Sequence, residues 1–319
     1  MPITAGVVAL TLAACSVPVP EPSETPGLRE QGALQEGQSD RIINLTLWEL
    51  DAADAVKDAS LFGERVGEVT GQVRGVEYIV AAKGGVAADL IPRDMQAVYT
   101  TSSNDWPRAM VAVTVEPDAT HAPVVLLWVQ DSPQALYQFR AWAHMVPRGV
   151  LPAMPGQSTG TEQVALDADL FAISPQKAIE DYTAVLNGGA ASELEATFAP
   201  DPYRQKMFEA RKALSAAASP RGGTYTDTVT ARPEESYVLA DAEGGALLFV
   251  RLDVVSDFKV PGAQLALSAS DKALLKGSLG SRVVYRYQDF IVIRIWGQGA
   301  DALPVVVAAD HHLVEVATS

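Results

Sequence analysis

An α+β fold class follows from three features of the sequence. Apolar residues recur at helical spacing over 41–83, β-rich runs with turn signals fill 96–146, and the same order of helices and then strands returns over 174–317. A Pro/Gly-rich stretch, Pro147–Thr161, lies between the two halves. With 319 residues and 48% hydrophobic content, the chain has room for two domains with packed cores. The expected division is an α+β domain over 40–152, a linker over 153–172 and a second α+β domain over 173–319.

In the first domain, Arg41–Phe62 carries Ile42, Leu45, Leu47, Trp48 and Leu50 among charged positions. Glu64–Lys83 spaces Val66, Val69, Val73, Val76 and Ile79 by threes and fours, interrupted by Gly67, Gly71 and Gly75. This pattern predicts two helices or one bent pair. Strands are expected over Gln96–Thr101, Arg108–Val115, Val124–Gln130 and Leu136–Val146, with turns such as Glu116-Pro117-Asp118 and Asp131-Ser132-Pro133 between them. Simple alternation puts Tyr137, Phe139, Ala141 and Ala143 on one face of the last strand and Gln138, Arg140, Trp142 and His144 on the other.

In the second domain, Ser174 is an N-cap with Pro175 at the first helical position, and Ala178, Ile179, Tyr182, Val185 and Leu186 form one stripe that stops at Gly188-Gly189. A short helix over Ser192–Phe198 and a longer one from Asp201-Pro202 to Ala217 follow. The remainder reads as strands: Tyr225–Ala231, Tyr237–Ala242, Ala246–Phe258, Arg282–Tyr287, Phe290–Gly297, Val305–Ala309 and Leu313–Ala317. Gly244-Gly245 and Gln288-Asp289 read as hairpin turns, and Ser268–Lys276 as a small helix.

Ahead of the folded part, an apolar run from Ala5 ends in Leu12-Ala13-Ala14-Cys15, and Cys15 is the sole cysteine. This run resembles the lipobox of bacterial lipoproteins, although Met1–Thr4 lacks the Lys or Arg with which export signals begin. The resemblance implies a signal peptide over 1–14, cleavage between Ala14 and Cys15, and a lipid on Cys15 that holds the chain at the outer face of the cytoplasmic membrane. Residues 15–39, rich in Pro, Glu and Ser, are expected to form a disordered tether. Lipobox, tether and Ala-rich composition together resemble actinobacterial lipoproteins.

A net charge of −15 disfavours nucleic acid as a partner. After the first residues no apolar run approaches the ~18–20 residues of a membrane span. Zinc-ligand spacing, Gly-x-Ser-x-Gly and Walker sequences are missing, so neither a cofactor nor a metal is expected. Neighbours on a strand point to opposite faces, so His311-His312 cannot hold one ion together and read as a hairpin-end pair in solvent, with His311 and Glu315 on one face as the alternative. His121 and His144 are read as standing without an acidic or thiol companion nearby in sequence. Asp51, Asp54 and Asp58 share one side of the first helix and read as a solvated acidic face.

The segment Ala178–Gly189, followed by Leu194-Glu195-Ala196-Thr197-Phe198-Ala199-Pro200-Asp201, resembles the opening of the NTF2-like superfamily. That resemblance implies a conical (NTF2-like or cystatin-like) half-barrel with a pocket between helix and sheet. Tyr182 falls where family isomerases carry an oxyanion-binding Tyr, but the helix after Asp201 stands where their acidic base should lie. Tyr182 is therefore expected to pack in the stripe, and no catalytic residue is assigned. Tyr182 and Trp296 are the candidate pocket residues, the latter among the aromatics of the last strands. The expected function is a non-catalytic binding or scaffold module for envelope proteins or cell-wall assembly. The alternatives are a carrier or sensor of a small apolar molecule or lipid, and then an isomerase-like enzyme.

Overall fold

A computed structural model describes residues 31–102, 105–118 and 120–318. The expected signal peptide, Ala14, Cys15 and most of the tether lie outside them. The chain is a mixed α+β protein with two sheets whose long strands pair antiparallel. Among the described residues no helix is long and apolar enough to cross a membrane.

The first half contains α1 (Glu36–Val56), α2 (Glu68–Ala82) and a four-stranded meander, β1 (Met95–Thr100), β2 (Arg108–Thr114), β3 (Val124–Gln130) and β4 (Gln138–His144). Helix α1 starts earlier than expected, because Gln38 Oε1 accepts the Gln35 N–H at 2.9 Å and closes the first turn. Residues 32–39 are thus part of the fold rather than of a tether. Gly32 N donates to Ser158 O, and Ala33 N donates to Thr101 O at 2.7 Å. This strap crosses Gly160, which has φ +76° and sits so close that an added Cβ would lie 2.7 Å from Gly32 Cα. Gly160→Ala should therefore cost about 1–3 kcal/mol, read as a lower urea midpoint, since both the positive φ and the backbone contact oppose a side chain.

The second half contains α3 (Pro175–Gly188), α4 (Pro202–Ala218), β5 (Thr224–Ala231), β6 (Tyr237–Ala240), β7 (Ala246–Lys259), α5 (Ala269–Leu274), β8 (Leu275–Lys276), β9 (Arg282–Ile295) and β10 (Val305–Ala317). Its sheet runs β5-β7-β9-β10-β8, with β6 paired to β7 and the short β8 parallel to β10. Ser174 Oγ and Asp201 Oδ1 cap α3 and α4. The helix expected over Ser192–Phe198 is instead a single 3-10 turn, Glu195–Thr197, preceded by another at Gly189–Ala191.

Two expected breaks in this sheet are absent. Gln288-Asp289 is the middle of β9, not a hairpin, and His311-His312 lie inside β10. Asp289 can stay in a buried strand because Tyr203 Oη donates to its Oδ2 at 2.5 Å and His311 Nδ1 lies 2.7 Å from the same oxygen.

Faces of β4 also differ from simple alternation. Leu127 pairs with Ala141 but Trp128 pairs with Phe139, so Arg140 is an extra residue in a β-bulge. The bulge reverses the alternation, so that Phe139 and Trp142 pack together at 5.9 Å on the helix side while Ala141 and Ala143 face the other way.

The layers stack as helices, sheet, sheet, helices. Helices α1 and α2 cover one face of the first sheet through Ile43, Leu47, Leu50 and Val73 against Met110, Leu126 and Trp128. Helices α3 and α4 cover the far face of the second sheet through Ile179, Tyr182, Leu186 and Met207 against Val250, Leu252, Ile291 and Ile293. Between them the two sheets share one core, with Val111, Leu127 and Val129 against Leu247, Phe249, Phe290 and Val292. The connection over 153–172 is more than a free linker: Thr161 bridges to Thr101, Gln163 to Leu239 and Phe171 to Gly297.

Candidate functional site

Tyr182 lies on the buried stripe of α3, 1% exposed, with its ring edge-on to Phe198 at 5.1 Å. Its hydroxyl donates to Asp201 Oδ1 at 3.1 Å, and the same oxygen accepts Arg204 N at 2.7 Å. Burial, reinforced by the Asp201 carboxylate, holds the Tyr182 phenol well above its ordinary pKa. Trp296 stands just beyond β9, where Nε1 donates to Leu303 O at 2.9 Å and the Arg294 guanidinium lies 3.9 Å from the ring centre. Among the described residues no ring contact or hydrogen bond joins the two, so the structure does not bring the candidate pocket pair together.

An open space does exist on the same face of the second sheet, farther along its long strands. Six residues separate Ile291, under the helices, from Tyr285, about 20 Å along β9. There Tyr225, Ser256, Phe258, Tyr285 and Tyr287 line a groove of about 400 Å³, roofed by Leu214 of α4 and by Leu265–Leu267. Register explains the grouping, because Tyr225 pairs with Phe258 across β5 and β7, and Ser256 with Tyr285 across β7 and β9. Beside it, Tyr225 Oη and Ser256 Oγ each donate to Asp227 Oδ1 at 2.6 Å, while Arg211 Nε donates to Oδ2 at 3.2 Å. Burial, with Asp271 nearby, pushes the Tyr285 phenol up to about 12. A second groove of about 410 Å³ follows the outer side of α3 near Gln176, Ile179 and Thr183 and has no aromatic lining.

A polar cluster forms where α2, the loop after it, β4 and β10 converge. Glu77, Asp89 and His312 bring one ligand atom each to within 4.8 Å of one another, and Asp89, His144 and Asp310 do the same. His144 Nδ1 lies 2.7 Å from Asp310 Oδ2, and Trp142 Nε1 donates to Asp89 Oδ2 at 3.4 Å. Arg74, 2% exposed, grips Asp54 with two nitrogens and Glu77 with a third bond of 2.8 Å. Burial raises the Glu77 carboxyl to about 7, with Arg74 opposing the rise and Asp89 adding to it. Spacing in the sequence could not reveal this cluster, since its members lie on four segments and the Arg140 bulge decides which way Trp142 and His144 point.

The remaining sequence candidates disperse. Asp54 binds Arg74 and Tyr78, Asp51 binds Arg93, and Asp58 caps a 3-10 turn at Ser60. His311 and His312 face opposite sides, toward Asp289 and toward Trp142. Glu315 takes Lys276 and Arg286, and His121, contrary to expectation, has an acidic partner in Asp118, three residues before it. No protein family matches this chain, and neither a curated protein nor a solved structure matches it.

Proposed function

We propose that this chain is a non-catalytic binding module, held by a lipid on Cys15 at the outer face of the cytoplasmic membrane, that carries a small apolar molecule with one hydrogen-bonding head. The groove around Tyr225, Ser256, Phe258, Tyr285 and Tyr287 carries this reading. Its volume falls in the range of small-molecule sites, ~300–1,000 Å³. Aromatic walls suit an apolar body, and the Tyr225–Ser256–Asp227 group offers the polar anchor. The concave half of an NTF2-like cone fits this layout, with α3 and α4 over half of the long strands and the groove over the rest. Against an isomerase, the Tyr182 hydroxyl is committed to a buried carboxylate.

Native mass spectrometry of the protein extracted mildly from its own envelope tests the proposal. Added mass of a few hundred daltons should persist in a soluble Cys15→Ser form and vanish in Ser256→Trp, which fills the groove. An adduct that survives Ser256→Trp in a folded protein, or none in any form, would count against the carrier.

One observation favours a scaffold as the second reading. Leu45, Trp48 and Val56 lie on the solvent side of α1 at 41%, 66% and 63% exposure, an apolar line opposite the buried Ile43, Leu47 and Leu50. Trp48→Ser should then abolish function in cells while Ser256→Trp leaves it intact.

A further inference from the structure

We infer that Glu77, Asp89 and His312, with Asp310 and His144 beside them, form a binding site for one divalent transition cation of the zinc(II) class. The site lies apart from the aromatic groove and does not depend on the carrier reading. Backbone geometry assembles it: Asp310 and His312, two apart on β10, share a face, as do Trp142 and His144 on β4 after the bulge. Helix α2 supplies Glu77, and the loop after it supplies Asp89, which belongs to both three-residue groups.

His312 gives the independent sign of a missing ligand. Its side chain is 9% exposed, and Nε2 is buried with no hydrogen-bond partner among the described residues, 3.9 Å from Asp310 Oδ2. A buried nitrogen left in that state costs free energy that a metal bond would remove. Charge points the same way. Arg74 is committed to Asp54, Glu77 and, at 2.7 Å, the Asp89 backbone carbonyl, and among the described residues no Lys or Arg forms an ion pair with the Asp89 or Asp310 carboxylate. Besides the neutral Trp142 indole N–H on Asp89 and the His144 backbone N–H on Asp310, the groups facing those two carboxylates are imidazoles, so a divalent cation would offset a local excess of negative charge.

Donor chemistry selects the ion. Imidazole favours zinc and its first-row neighbours, whereas calcium and magnesium take oxygen ligands alone. Bonds of about 2.0–2.2 Å require the ligand atoms, now within 4.8 Å, to draw in by about 1 Å. Asp89 sits on a loop that can make that approach, and the bound ion would clasp α2 to the β10 strand.

Isothermal titration of the full chain, first stripped with a chelator, would use zinc(II) alone and then calcium and magnesium in parallel. One zinc per chain is expected, with affinity falling about 100-fold or more in His312→Gln and in Asp89→Asn and unchanged in Glu315→Gln. Asp89 lies in a loop, so its Asn variant should keep the fold, which circular dichroism would verify for each form. Trp142, whose ring lies 4.7 Å from that of His312, provides a second readout. Cobalt(II) should quench emission in the parent chain and do so much less in Trp142→Phe. The absence of zinc binding up to about 1 mM, full-strength binding in both folded ligand variants, or equal affinity for calcium would overturn the inference.

Discussion

Phe249→Ala should lower the unfolding free energy of the whole chain by about 3–5 kcal/mol and leave one unfolding transition, not two. Phe249 is fully buried between the sheets, with its ring 6.3 Å from Phe290 and the apolar side chains of β2 and β3 on the opposite layer. Truncation removes most of a large side chain from a layer that neither sheet can close alone. Tryptophan emission reports mainly on the first half, through Trp106, Trp128 and Trp142, while far-ultraviolet circular dichroism reports on both halves. Urea curves from the two probes should coincide and shift together. If the emission transition stays where it is in the parent chain, the halves unfold separately and the shared core contributes little.

Arg204→Met should cost about 3–5 kcal/mol at neutral pH, because it removes one partner of a buried ionic group. Arg204 is 1% exposed, lies 3.5 Å from Asp201 Oδ2, and donates to the Glu195 and Ala199 carbonyls at 3.1 Å. Burial already raises the Asp201 pKa, and the Arg204 backbone N–H and guanidinium restrain that rise. Without the guanidinium the pKa moves higher still. A carboxyl that binds its proton more tightly when folded lowers stability as pH rises from its unfolded value, about 3.9, through its folded value. The defect should therefore be largest at neutral pH and shrink on acidification, as Asp201 becomes neutral and remains bonded to Tyr182. Urea unfolding of parent and variant at neutral and acid pH checks this, and a pH-independent difference would contradict it.

Local signals explain why so much of the element order was readable. Ser174-Pro175 and Asp201-Pro202 mark helix starts because a short polar side chain and a fixed φ satisfy the first turn regardless of what packs above it. The four strands of the first sheet fall where the turn residues predict, and Gly244, with φ +86°, turns β6 into β7. Misread places were those where a distant partner rescues a residue. Asp289 looks like a turn until Tyr203 and His311 are brought to it, and the Arg140 bulge is invisible to a count of alternating residues.

By itself the sequence determined the α+β class, the positions of the main helices and most of the strands, and the place of Tyr182 in a packed stripe, all of which depend on neighbours within a few residues. Tertiary structure decided that the sheets close on each other, that the open groove lies beyond Tyr182, and that Glu77, Asp89, His144, Asp310 and His312 meet. Continuous apolar runs such as Val124–Val129 and Phe290–Ile293 carry the first of these in outline, since a strand covered on both faces needs no polar side. The other two have no local signal, because they arise from strand register and from one extra residue in β4, which place side chains from remote segments within a few ångströms of each other.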